Sequence, residues 1–420
     1  MDRPSPPIAR RTFLSRAAAL AASLPVASIL AACSRDGERS PTSSGAAAGE
    51  LPRHDDLLTD PGAPIERGGV LHVYEWRDYL DHGVVERFVR RHRAFDVDVR
   101  IESFESMPEA IARLQEPDAT FDVFFPVIDA LPGLVARRLL RPLTHDALPH
   151  LSNLWPFFTR ANGPFYDVGQ RYSVPYTVYG TGIGWRTDLV PAQHAPDQLD
   201  NPYDTYWDPV HTAEVGLVDD HREAIAMAML RRGADPNAAS PEQVTTAVDD
   251  LIEMGRVVDL EVSADGPYEE LQTGEYAIQQ AWTGDVLAAK RFGAGTDRTL
   301  TRTGFIWPAG GVVGCDLTAV CAGGRNPVLA HAFLDFLLEE EVALDNFAWN
   351  GYQPPVASAV PDAFADPSFR WAPLVPPHLS GAILAPDDLA SGRFLEPLEP
   401  SQAAVWQDGW RRFLDSLDAP

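Results

Sequence analysis

The chain has a single lysine, Lys290, among 34 basic residues, against 60 acidic ones. The missing lysines read as coding bias and carry no function. The missing positive charge does carry a consequence. A formal net charge of -26 over 420 residues excludes nucleic acid and anionic lipid surfaces as partners, because both are held through clustered basic side chains. It favours solubility and is compatible with a cationic ligand. Cysteine is scarce as well, at three residues. There is no paired CxxC, no HExxH and no acidic loop with metal spacing, so neither a metal nor another cofactor is expected. Cys315 and Cys321 flank "DLTAV", which reads as a strand. An extended spacer of that length keeps their Cα atoms too far apart for a disulfide, and two small buried thiols are expected. No Gly-x-Ser-x-Gly elbow and no Cys-His pair is present. "GTGIG" (180–184) lacks the spacing of a dinucleotide loop. The folded part has no internal repeat and no low-complexity segment.

Long apolar runs are also absent, with one exception. Residues 17–32 form an apolar stretch behind "ARRTFL" (9–14). It is shorter than the ~20 residues that span a bilayer. A twin arginine followed by Phe-Leu and an apolar core reads as a twin-arginine export signal, residues 1–32, which is removed from the fold argument. It ends in "LAAC", which resembles the lipobox of bacterial lipoproteins. That resemblance makes Cys33 the lipid-bearing residue, with the membrane reached through the anchor only. Residues 1–32 carry four arginines and one aspartate, a net +3, so the remainder stands near -29. Residues 33–67 are rich in Ser, Gly, Ala, Pro and charge, and read as a flexible tether.

The ~350 residues beyond the tether exceed one comfortable core, so two lobes are expected. Strand and helix patterns alternate. "VLHVYEW" is a strand and "VVERFVRRH" a helix; "VDVRIESF" is a strand and "PEAIARLQE" a helix; "FDVFFPV" is a continuous apolar strand before "LPGLVARRLL". This order predicts an α/β fold, each lobe a mostly parallel sheet flanked by helices. Ligands of such sheets bind beyond the carboxyl ends of the strands. Further along, "VPYTVYG", "TGIGW", "EVGLVD", "YAIQQAW", "TGFIWP" and "LTAVCAG" read as strands. "PEQVTTAVDDLIEMGRVV" and "NPVLAHAFLDFLLEEEVALDNFAW" read as helices, and a final amphipathic helix runs from about Gln402 to Leu417.

Six segments then occur in register: "YEWRDYLDHGVVERF", "FDVFFP", "YSVPYTVYGTGIGW", "VGLVDDHREAIAMAML", "YAIQQAWTGD" and "GYQPP". From about Gly69 to Leu417 the chain resembles the extracytoplasmic spermidine/putrescine-binding proteins of ABC importers. The resemblance implies a two-lobed periplasmic-binding-protein fold with the ligand cleft at the hinge. Lobe 1 would be 68–180 plus 316–360 and lobe 2 would be 181–315 plus 361–420, with crossovers near Gly180, Asp316 and Val360. It implies a monomer that captures a polyamine and hands it to ABC permease subunits.

A polyamine is a flexible chain with an ammonium at each end. It needs carboxylates for the ammoniums and aromatic faces for the methylenes and cations. Trp76 and Tyr79 lie three apart beyond the first strand, beside the polar Arg77 and Asp78, where the family has part of its aromatic box. Asp220 and Glu223 open a helix as Asp-x-x-Glu. That pattern is a capping box, and it is also where the family carries two amine-binding carboxylates. Asp219 is expected to cap, which would free both for a ligand. By the same resemblance Trp282 stacks on the ligand, Asp316 binds an amine, Tyr352 lies in the cleft, and Glu396 is a polar contact. Three positions depart from the family. Val127 and Asp129 replace a serine and an aromatic, and Gly314 replaces a tryptophan. Asp129 either holds an extra ammonium or caps the helix starting at Ala130. Gly314 is expected to leave room for a bulkier or differently placed ligand. The alternatives are a binding protein for another cation (thiamine, a betaine, an agmatine-like amine) and a carboxylate-pair hydrolase, which would need two acids with separated pKa values. Ferric binding would want more clustered tyrosines than Tyr79 and Tyr352.

Overall fold

The computed structural model describes residues 51–417 apart from 161–166, 212–214, 264–267 and 293–299. The export signal, Cys33 and most of the tether lie outside the described residues.

Among the described residues nine strands form one sheet. They are β1 (Val70–Trp76), β2 (Asp98–Phe104), β3 (Val123–Phe124), β4 (Ser173–Arg186), β5 (Val215–Val218), β6 (Leu260–Ser263), β7 (Ile278–Trp282), β8 (Thr303–Ile306) and β9 (Val313–Val320). The order is β2-β1-β3-β9-β4-β7-β5-β6, with β8 also paired to β4. The two wings are parallel: β1 with β2 and β3, and β5 with β6 and β7. The centre is antiparallel, because β9 and β4 cross between the wings.

The 14-residue β4 joins two segments that the sequence reads as separate strands. Its first half pairs with β9 as far as Gly180↔Val313, and its second half pairs with β7 from Thr181↔Trp282 and with β8. The change of partner falls between Gly180 and Thr181. Any side chain at Gly180 would meet the Trp307 indole at 2.5 Å, so the glycine lets the next crossing segment pack against the strand.

"FDVFFPV" is extended, but its ladder is only Val123–Phe124. Pro126 has no N–H to donate. Its carbonyl still accepts from Leu317 N at 2.8 Å, and this holds the chain beside β9. The long helix expected over 326–349 is two, Pro327–Leu337 and Glu340–Asn350. The break lies at Leu338–Glu339, where the acidic run gains from opening a new helix N-terminus. The edge strand β6, "LEVS", gives no strong pattern and was legible only in the structure.

The tether reading is corrected from Leu51 onward. Arg141 donates to Leu57 O at 2.6 Å and Thr144 Oγ1 to Thr59 O at 2.8 Å. The Glu66 carboxylate accepts from Val328 N and Leu329 N, capping the helix Pro327–Leu337. The segment is laid against the first wing as a strap.

Each wing has its own core. Around β1, β3 and β9 lie Phe88, Phe124, Phe333, Trp155 and both Cys315 and Cys321, which are buried free thiols. Around β5 the helix His221–Arg231 is enclosed by Trp406, Trp410 and Phe413 of the helix Pro400–Leu417. That enclosure explains why Ala224–Met229 are buried on every side rather than along one stripe. Each large buried side chain contributes about 1.5–3 kcal/mol.

Candidate functional site

The carboxyl ends of β1, β3, β5 and β7 point to one place. The residues at or just past these ends are Trp76–Tyr79, Val127–Ala130, Asp219–Glu223 and Trp282–Asp285. The central strands β4 and β9 add Tyr179, Thr181 and Asp316.

At one end of this place two aspartates are held by phenols. Tyr79 Oη donates to Asp316 Oδ2 at 2.5 Å and lies 2.6 Å from Thr177 Oγ1. Tyr352 Oη donates to Asp285 Oδ1 at 2.7 Å. The two phenol rings meet edge to face at 5.4 Å. Both are fixed from behind by the helix Glu340–Asn350. Asn346 Nδ2 and Asn350 Nδ2 donate to the Tyr79 carbonyl at 3.1 and 3.0 Å. Tyr176 Oη adds a third bond to that carbonyl at 3.1 Å, and Asn350 Oδ1 accepts from Tyr352 N at 2.9 Å. Each aspartate is left with one buried oxygen that has no partner, Asp316 Oδ1 and Asp285 Oδ2.

At the other end stands Glu223, 7% exposed, whose Oε2 is likewise unpartnered. Thr181 and Trp282 lie close enough to favour its ionised form. Neither completes a hydrogen bond of good geometry, so Thr181 Oγ1 and Trp282 Nε1 are also unpartnered. Gln280 donates to the Glu223 carbonyl at 3.2 Å, and its own Oε1 is bare.

The expectation for Asp219 and Asp220 is reversed. Asp220 is the N-cap: its Oδ1 accepts from Arg222 N at 2.8 Å and Glu223 N at 3.1 Å. Asp219 is exposed and pairs through its backbone with Ser263 O. A capping oxygen must sit two to three residues before the amides it serves, and Asp220 has that spacing. Glu223 makes no reciprocal bond, which leaves its carboxylate for the cleft.

Asp129 caps nothing: the helix Leu131–Ala136 has Ala130 at its N-cap and no side-chain bond there. It faces Asp220 and Arg222 across the cleft. Arg222 stacks over Trp406 at 4.9 Å and donates to the Glu396 carbonyl at 2.9 Å. Glu396 enters the arrangement through its backbone, as a buttress of Arg222. Trp76 packs on Phe104 at 4.5 Å, and its Nε1 is buried without a partner.

Burial dominates the electrostatics. It pushes Asp316 and Asp285 up to about 7 and Glu223 up to about 8. Tyr79 and Tyr352, by donating to the aspartates, pull them back only partly. Burial also raises Asp129, with Asp220 adding to the effect and Arg222 opposing it. Among the described residues none of Glu223, Asp285 and Asp316 forms a salt bridge, and no cluster of His, Cys, Asp and Glu could hold a metal ion. Desolvated acids of this kind favour ionisation only when a cation joins them. Indole and phenol faces beside them suit a cation carried on methylenes.

The structure therefore brings together Trp76, Tyr79, Asp129, Asp220, Glu223, Trp282, Asp316 and Tyr352. Sequence reading missed Asp285, Tyr179 and Thr181. Asp285 had a signal, an acid three residues after Trp282. That spacing brings a side chain back under the strand end once "TGD" is seen as a first helical turn. Gly314 does not open the cleft: a Cβ there would stand 2.2 Å from Tyr179 Cζ, so the Tyr179 ring already fills that space.

Comparison with known proteins gives four matches. Residues 84–372 match the family model of bacterial extracellular solute-binding proteins. The chain is similar to the spermidine/putrescine-binding periplasmic protein 1 of Haemophilus influenzae, 27% identical over 276 residues, covering 65% of this chain and 71% of that protein. It is 26% identical to the spermidine/putrescine-binding periplasmic protein of Escherichia coli over 299 residues, 71% of this chain and 80% of that one. Among solved structures it shares the fold of the spermidine/putrescine ABC transporter substrate-binding protein of Streptococcus pneumoniae. The TM-score is 0.68 at 20% identity, over 83% of this chain and 99% of that chain.

Proposed function

The chain belongs to the bacterial extracellular solute-binding protein family, and from that premise we propose that it captures a polyamine of the putrescine or spermidine kind between its lobes and delivers it to the permease of an ABC importer. One observation carries the reading. Three carboxylates more than nine-tenths buried, Glu223, Asp285 and Asp316, each present an oxygen without a partner. A buried carboxyl without a partner costs stability unless something else is gained. An ammonium at each end of a methylene chain would satisfy all three, and the aromatic faces would cover the chain between. Asp285 and Asp316 hold one ammonium and Glu223 the other. Asp220 and Asp129 add negative potential, and Trp76, Trp282, Tyr79 and Tyr352 form the walls. The names of the similar proteins support this ligand class.

The reading extends to the whole chain. The twin-arginine signal exports it, Cys33 carries the lipid, and residues 34–50 form the tether. The folded part acts as a monomer whose lobes close about the crossing near Gly180, a standard hinge device. Among the described residues no helix is long and apolar enough to cross a membrane.

Titration calorimetry of the purified protein at fixed salt tests the ligand class. Putrescine, spermidine, spermine, agmatine, thiamine and glycine betaine form the panel. The proposal expects saturable heat with a polyamine and weak or no heat with thiamine and betaine. No heat with any polyamine would overturn it.

A further inference from the structure

Tyr179 and Gly314 face each other directly across the antiparallel ladder of β4 and β9. Opposed positions of a ladder are close neighbours, and here the ring lies flat across the glycine. A Cβ on Gly314 would stand 2.2 Å from Tyr179 Cζ and 2.4 Å from its hydroxyl oxygen. The two residues thus share one side chain's worth of space, and Tyr179 has it.

That space lies in the interval between the two carboxylate groups. On β4, Thr177 meets Tyr79 at the Asp316 end and Thr181 lies beside Glu223 at the other. Tyr179 therefore stands between them on the same face of the strand, with burial first, and then the charges of Asp316, Glu223 and Asp129, raising its phenol. Its ring stands edge-on to Tyr352 at 6.1 Å. A chain running from Asp316 to Glu223 must pass this ring. A second feature bears on the number of ammoniums. The remaining acids, Asp129 and Asp220, already have a cation beside them in Arg222. Arg222 is fixed by Trp406 and by the Glu396 carbonyl, so it cannot swing away cheaply. Within the cleft the unpartnered carboxylate oxygens of Asp316 and Asp285 mark one end and that of Glu223 the other; Glu75, which also keeps a bare oxygen, is engaged by the Leu80 backbone behind Trp76.

We propose that Tyr179, laid over Gly314 between the two carboxylate groups, is a specificity-determining residue that restricts the cleft to a two-ammonium chain in preference to a three-ammonium one. The proposal rests on the polyamine reading and goes beyond it by naming the length and the residue that sets it. The ring covers methylenes well. An interior ammonium would be stripped of water beside the ring with no bare carboxylate to meet, and this uncompensated desolvation outweighs the modest attraction of the ring for a cation.

The test is calorimetric titration of putrescine and spermidine into three proteins: the wild type, Tyr179→Ala, and Tyr179→Ala with Gly314→Tyr, which returns the phenol from the opposite strand. The wild type is expected to prefer putrescine by about tenfold or more, the scale of discrimination by pocket shape. Tyr179→Ala should reduce that preference to about twofold or reverse it, and the double variant should restore most of it. Melting curves without ligand show whether each variant is folded. A wild type that prefers spermidine overturns the proposal whatever the variants do. So does a folded Tyr179→Ala protein whose preference is unchanged. A wild type that binds neither amine would instead contradict the polyamine reading on which this one rests.

Discussion

Asp122 and Asp316 lie beside neighbouring strands, β3 and β9, and both are buried, at 1% and 6% exposure. The fold treats them in opposite ways. Asp122 Oδ1 accepts from Asn326 N at 2.7 Å, and its Oδ2 accepts from His72 N and Asn326 Nδ2 at 2.9 and 3.0 Å. Asp167 is similar, with Tyr172 N, Ser173 N and Ser173 Oγ all donating to its Oδ2. Asp316 receives one phenol and keeps a bare oxygen, as does Asp285, and Glu223 keeps a bare oxygen with no phenol bonded to it. Where a carboxylate serves the fold, backbone amides come to meet it. At the carboxyl ends of the strands three acids are left short of donors together. Buried polar groups without partners are rare in native proteins, and three in one cleft point outward to a ligand.

The comparison breaks most visibly if both aspartates at the Tyr79–Tyr352 end are neutralised. Asp285→Asn with Asp316→Asn should abolish amine binding in calorimetry, a loss of roughly 3–5 kcal/mol or more. The ligand-free melting temperature should hold or rise, because two buried acids are removed. Asp122→Asn should do the reverse. It should cost about 1.5–3 kcal/mol of stability through its charge-assisted bonds and leave affinity unchanged, with denaturant titration as the measurement. Glu223→Gln comes next, with affinity falling by about 2 kcal/mol and the melting temperature held. A lower melting temperature with unchanged binding would make Glu223 a structural residue.

Protonation sharpens the same contrast. Burial raises Glu223 from its ordinary 4.5 to about 8, and Asp285 and Asp316 from 3.8 to about 7. Between these limits the ligand-free fold holds protons that the unfolded chain has released. Stability from these groups is therefore full below about pH 4 and is lost as pH rises through about 7 to 8. A cation favours the ionised forms, so affinity should rise over that interval and binding near pH 6.5 should release protons. Calorimetry in two buffers of different ionisation heat reads this directly; buffer-independent heat would mean the acids are already ionised. The smallest effect is at Asp220. Asp220→Ala should cost about 1 kcal/mol of stability as a lost cap, whereas Asp220→Asn keeps the cap and costs a few tenths; thermal melts separate the two.

The wings were legible in the sequence because their strands alternate with helices and carry continuous apolar runs. The strand "VLHVYEW" is β1 to the residue. Trp76, Tyr79 and Trp282 stood out as candidates because each ends or follows a strand, and Glu223 because it opens the helix after β5; Asp316, inside β9, and Tyr352, beyond the helix Glu340–Asn350, were named only through the family resemblance. What was hidden is long-range. The assignment of the cap to Asp220 rather than Asp219 depends on where β5 ends. Tyr179 filling the space over Gly314 depends on the register of β4 against β9, two strands more than 130 residues apart. Asp285 was hidden because "TGD" has the composition of a turn and forms the first turn of the helix Thr283–Phe292. The strap from Leu51 has loop composition throughout, and only the hydrogen bonds that its carbonyls and Glu66 accept from distant side chains and amides reveal that it is fixed.

The central claim is that the unpartnered acids exist to receive ammoniums. Putrescine titrated into the wild type and into Asp316→Asn, at one salt concentration and with melting curves of both, tests it most directly. The account predicts a folded variant, as stable as the wild type without ligand, whose affinity is lower by about a hundredfold or more. A folded Asp316→Asn protein that binds putrescine as tightly as the wild type would contradict it.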